Sequence, residues 1–138
     1  MKQRDIIAAA IVIAIMAVSF GAFQYTARYA STKKPTCSNI TLQTLPSPDQ
    51  KFKAIVFERN CGAGANRSAQ VSILPIAAAL TNEPGNVFVA DLLGGKVPYV
   101  FFIWHSADGA EVITDPAARV YKKTDFVGDI VVTFREGM

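Results

Sequence analysis

Read for its apolar positions, the chain falls into two unlike parts. Residues 6–23, IIAAAIVIAIMAVSFGAF, hold no charge and no proline. At 1.5 Å rise per residue, about 18–20 such residues cross most of a hydrocarbon core ~30 Å thick. This part reads as a transmembrane signal anchor behind a short cytoplasmic N-terminus, residues 1–5. Beyond it the pattern turns to β. KFKAIVFER (51–59) carries Phe52, Ala54 and Val56 on one face and Ile55 and Phe57 on the other, the mark of a central strand. AQVSIL (69–74) alternates, with Val71 and Ile73 facing in and Gln70 and Ser72 facing out, as in a half-buried strand. A Pro-Gly turn then leads to NVFVADLL (86–93). VPYVFFIWHS (97–106) is apolar on both faces and is expected at the centre of the core. The turn 106–109 supplies hairpin chemistry, with Gly109 free to take a positive φ, and AEVIT (110–114) returns. RVYKK (119–123) and DIVVTFRE (129–136) follow, the latter with Ile130, Val132 and Phe134 inward. The expected fold is all-β: an N-terminal transmembrane helix, then a small antiparallel β-meander or sandwich of about six or seven short strands over residues 37–138. Residues 24–36, QYTARYASTKKPT, read as a juxtamembrane tether rather than packed structure.

Charge and cysteines bear on the compartment. A cleaved signal peptide competes with the anchor, but it wants small residues at the −3 and −1 positions. Cuts after Ala22, Ala27 or Ala30 would put Phe20, Tyr25 or Arg28 at −3. The basic residues near the helix ends, Lys2 and Arg4 before it and Arg28, Lys33 and Lys34 after it, lean slightly against export of the domain. The two cysteines, Cys37 and Cys61, lean the other way, because an oxidising compartment uses such a pair as a staple. Two unrelated buried thiols are the alternative. The formal net charge of +3 is no nucleic-acid signal: residues 31–138 hold 11 Lys and Arg against 10 Asp and Glu, a net +1. No basic stripe interleaved with aromatics is present, so no nucleic-acid partner is expected.

Candidate chemistry is sparse. The one histidine, His105, stands next to Ser106, and neighbours along a strand face opposite ways, which does not make a hydrolytic triad. One histidine and two cysteines leave too few ligands for a metal site, and no cofactor is expected. Gly94, Gly95 and Lys96 are followed by Val97 and Pro98 opening a strand, whereas a phosphate-binding loop continues Gly-Lys-Ser/Thr into a helix. The Asn39–Thr41 and Asn66–Ser68 sequons matter only in a glycosylating host. The best candidate for contact is the tip at 62–68, with Asn66, Arg67 and Ser68 as partner-binding residues. Arg67 donates several hydrogen bonds, and Asn66 both donates and accepts.

The stretch SPDQKFKAIVFERNCGAGANRSAQVSIL, followed by NEPGNVFVAD, resembles a family of small uncharacterised bacterial envelope proteins, lipoproteins or single-span membrane proteins. Their pattern runs like Ser-Pro-Asp-Gly-Lys-x-Lys-Ala-Val-x-Phe-x-Arg-Asp-Cys-Gly-Ala-Thr-Thr, then Gln-Val-Ser-Ile-Leu. The resemblance covers about residues 37–92. It implies an envelope location and a Cys37–Cys61 disulfide, and it brings no activity across. The chain departs from the pattern at Gln50, where the family turn has glycine, and at Gly64 and Ala65, where it has the threonine pair. The function expected is that of a noncatalytic periplasmic domain, anchored by a single pass in the bacterial inner membrane, that binds another envelope protein as an accessory subunit, inhibitor or immunity-type factor. An envelope hydrolase or transferase built on Asp and Glu side chains is the alternative.

Overall fold

The computed structural model describes residues 2–31, 36–62 and 64–138. One unit holds a single helix, α1 (Gln3–Ser31). Its segment Gln3–Tyr25 is long enough and apolar enough to cross a membrane, a test that a signal sequence also passes. Ser19 satisfies its hydroxyl by donating to the Ile15 carbonyl at 2.9 Å, as polar side chains in apolar helices do. The tether expected over 24–36 is therefore helical as far as Ser31. No glycine or proline lies between Gly21 and Ser31 to break a helix already nucleated, and residues 32–35 lie outside the described ones.

The second unit, residues 37–138, is a two-sheet sandwich. Among the described residues nine strands run in chain order: β1 (Ser38–Pro46), β2 (Phe52–Asn60), β3 (Ser68–Pro75), β4 (Phe88–Asp91), β5 (Val100–Trp104), β6 (Gly109–Thr114), β7 (Arg119–Lys123), β8 (Phe126–Val127) and β9 (Ile130–Glu136). The first sheet has the order β1-β2-β3-β4-β7 and the second β5-β6-β9-β8. The all-β expectation holds, with one difference. The chain leaves β6, crosses to the far sheet as β7 and returns, so β6 and β9 pair in parallel. The inner faces meet in a core of Val56, Val71, Ile73, Phe88, Phe102, Val112, Ile130 and Val132, among others.

β2 is a central strand with both faces buried, as its sequence implies. β3 departs from expectation: Gln70 and Ser72 face outward yet are 3% and 4% exposed. The connection between β3 and β4 lies over that face. Gly85 N donates to Gln70 Oε1, Asn86 N donates to Ser72 Oγ, and the Asn86 side chain donates to and accepts from the Ile73 backbone. Under this cover Ile55 and Phe57 are buried outside the main core.

β5 is the second correction. It lies at the edge of its sheet, not at the centre of the core; Phe102 is buried, but Phe101 and Ile103 are 53% and 39% exposed. Its sequence is apolar on both faces, but only one of those faces is covered. The β5–β6 turn also differs from expectation. Gly109 keeps a negative φ, and the turn is held by Ser106 Oγ donating to Asp108 Oδ1 at 2.8 Å. A Cβ on Gly109 would meet that Ser106 hydroxyl, so the glycine serves space rather than a left-handed backbone.

Candidate functional site

β2 ends at Asn60, and the next residue, Cys61, is joined to Cys37 by the expected disulfide. The rung before it pairs Ser38 with Asn60, so the bond closes the open end of the β1–β2 hairpin. Gly62 and Gly64 then take φ of 94° and 84°, a left-handed backbone that turns the chain back into β3 at little steric cost. The tip residues are tied to the sheet. Asn66 Nδ2 donates to Asp91 Oδ2 at 3.1 Å, Arg67 Nη1 to Glu58 Oε1 at 3.0 Å, and Ser68 Oγ accepts from Gln70 Nε2 at 2.8 Å. Arg67 keeps half of its side chain in solvent.

Asp91 is the hub of this end of the sandwich. Register brings Arg59, Ser68, Asp91 and Arg119 into one row across β2, β3, β4 and β7. Arg119 grips the Asp91 carboxylate with two bonds, Nε to Oδ1 at 2.8 Å and Nη2 to Oδ2 at 2.9 Å. A shift of register between Val89 and Ala90 leaves Tyr121 as an extra residue, and its hydroxyl reaches both carboxylate oxygens at 3.2 Å. Burial alone would raise the Asp91 pKa. The hydrogen bonds from Arg119, Asn66 and Tyr121 outweigh it and hold the carboxyl below its usual range. A second clamp stands at the same end: Arg59 Nη1 donates to Asn39 Oδ1 and Asn82 Oδ1, while Asn39 Nδ2 donates to the Thr81 and Glu83 carbonyls. The Asn39 amide is thus spent on the fold. Sequence reading missed Asp91, Arg119 and Tyr121. The one signal was an acid ending an apolar strand, with an arginine opening a later one.

The remaining polar groups lie elsewhere. His105 Nε2 lies 3.4 Å from Glu111 Oε2, and Arg135 Nε donates to Glu111 Oε1 at 3.0 Å. The Arg135 bond, helped by His105 and opposed by desolvation, lowers the Glu111 pKa. Ser106 turns to Asp108 instead, so the fold does not bring His105 and Ser106 together. At the opposite end of the sandwich from the tip, Asp49, Lys51, Ser106, Asp108 and Asp129 line a cleft of about 480 Å³. Its Asp49 pKa is lowered by the Ser47 hydroxyl and the Lys51 N–H. Among the described residues no group of three or more His, Cys, Asp or Glu is placed to hold a metal ion.

Apolar side chains collect at one edge. On β5 and just before it, Tyr99, Phe101 and Ile103 are exposed, with the Tyr99 and Phe101 rings 5.6 Å apart. On β1, Ile40 and Leu42 are each 55% exposed. A pocket of about 270 Å³ opens between the sheets here, lined by Leu42, Gln43, Val56, Ala69, Pro98, Tyr99 and Val100. The chain matches no family model, no curated protein and no solved structure.

Proposed function

We propose that this chain is a noncatalytic docking domain, held at the bacterial inner membrane by α1 with residues 37–138 in the periplasm, and that it binds another envelope protein as an accessory subunit, inhibitor or immunity-type factor. The observation that carries the reading is the apolar edge formed by Ile40, Leu42, Tyr99, Phe101 and Ile103. Isolated apolar side chains are ordinary on a surface, whereas here Leu42 and Tyr99 line an open pocket and the Tyr99 ring lies near that of Phe101, the kind of apolar lip that a binding surface uses. The disulfide supports an oxidising compartment. The test is twofold. A reporter active only in the periplasm, fused after Met138, is active, and the anchored protein recovered from native membranes after crosslinking brings down one defined envelope protein. A silent periplasmic reporter beside an active cytoplasmic one overturns the location, and recovery of the chain alone overturns the docking role.

The cleft with Asp49, Asp108 and Asp129 is the observation that favours the alternative, a hydrolase or transferase. Replacing Asp108 and Asp129 with asparagine leaves partner recovery unchanged under the docking reading.

A further inference from the structure

The two sheets do not end together. β2 packs against β5, and β1 continues the first sheet beyond β2, where the second sheet has no strand to face it. At one end Trp104 bridges this step, its indole N–H donating to the Leu45 carbonyl at 2.9 Å. At the other end Ile40 and Leu42 stay exposed among the described residues, and the pocket reaches inward to Val56 and Ala69 of the core. The missing position has a template. Asp115 N donates to Tyr99 O and His105 N to Gly109 O, so the odd residues of β5 bond to β6. Alternation turns the N–H and C=O groups of Val100 and Phe102 outward along the edge, and among the described residues they have no backbone partner there.

Resting on the docking reading above, we propose that this slot receives an extended segment of the partner protein, which adds to the second sheet beside β5 and lays alternate aliphatic side chains over Ile40, Leu42 and Val56. Main-chain bonds to Val100 and Phe102 supply affinity, and the pocket selects the side chains, as in strand addition generally. A second copy of this chain cannot pair antiparallel through its own β5. Pairing two β5 edges would bring the other copy's β2, which backs its own β5, into the layer that β1 already fills. A lone strand meets no such obstacle, because it brings no second layer.

The test uses the full chain in cells, with Leu42, Phe101 or Arg67 replaced singly by a photo-crosslinking phenylalanine analogue and the adducts mapped by mass spectrometry. Crosslinks from positions 42 and 101 are expected to map to the same short stretch of one protein, with aliphatic residues at alternate positions. Val100→Pro removes an edge donor that no strand of the fold uses, and it lowers both yields about tenfold, the worth of one main-chain hydrogen bond with its partner left unmade, in a chain that still melts cooperatively though at a lower temperature, because the buried Val100 side chain is lost too. If that variant fails to fold, Leu42→Glu with the crosslinker at 101 serves instead, since it puts a charge into the slot from an exposed position. Adducts that survive the folded edge variant, or that join two copies of this chain, overturn the proposal. Adducts from Arg67 alone overturn the slot and leave the docking role standing. No adduct from any of the three positions overturns both.

Discussion

The outer faces of the two sheets are built from similar residues and treated in opposite ways. On the first, Ile55 and Phe57 lie under the connection between β3 and β4, which bonds to Gln70, Ser72, Asn39 and Arg59 and excludes water. On the second, among the described residues no connection lies over Phe101 and Ile103, and both stay partly exposed. An apolar side chain on a strand therefore reports that it can be buried, not that this chain buries it. The first face is covered by the chain's own connection, and the second is not.

The largest effect that separates the faces is at the phenylalanines. Phe57→Ala is expected to cost about 3–5 kcal/mol, as a fully buried ring does, while Phe101→Ala stays within about 1 kcal/mol because half of its ring is already wet. Denaturant melts of the two variants decide it, and equal losses would mean the second face is covered too. Next is the staple on the first sheet. Replacing Cys37 and Cys61 with serine is expected to cost about 3 kcal/mol, since the bond closes a separation of 24 residues, and non-reducing peptide mapping of the parent finds the two joined.

The Asp91 hub carries the third effect. Asp91→Asn loses the charge that Arg119 holds and is expected to cost about 2–3 kcal/mol at neutral pH. The folded-state pKa of Asp91 is lowered, so its contribution is full above the unfolded carboxylate pKa of about 4 and is lost as pH falls through the lower folded value. The parent therefore loses stability to acid faster than Asp91→Asn, and parallel curves of stability against pH would remove Asp91 from this role. The smallest effect lies in the β1–β2 turn. Gln50 sits at φ 59°, so Gln50→Gly is expected to stabilise by about 1 kcal/mol, read as a rise in melting temperature.

Much of the fold was legible because period-two patterns survive wherever strands are straight and one face is dry. β2, β6, β7 and β9 stand where their residues place them. β1 was not legible: the register slips between Thr41 and Gln43, so Ile40, Leu42 and Leu45 do not alternate, and an edge strand has little buried surface to declare itself. The cover over Gln70 and Ser72 was hidden because a polar residue bonded to a loop reads like one bonded to water. The site was less legible than the fold. The tip at 62–68 stands between β2 and β3 as its glycines suggest, but its ties to Glu58 and Asp91 cross between strands, and no local pattern carries them. The edge position of β5 was invisible for a related reason, since composition says nothing of which strand comes last.

The closed hairpin end has a mechanical meaning. Any pull along the chain from its N-terminal side enters the sandwich at Cys37. Without a crosslink it would peel β1 from β2 one rung at a time, starting at Ser38 and Asn60, the weakest way to load a sheet. With Cys37 bonded to Cys61, tension bypasses β1 and passes into β2, which is gripped on both sides by β1 and β3. The edge strand β1, with Ile40 and Leu42 exposed on it, is thereby kept slack while its neighbour carries the load.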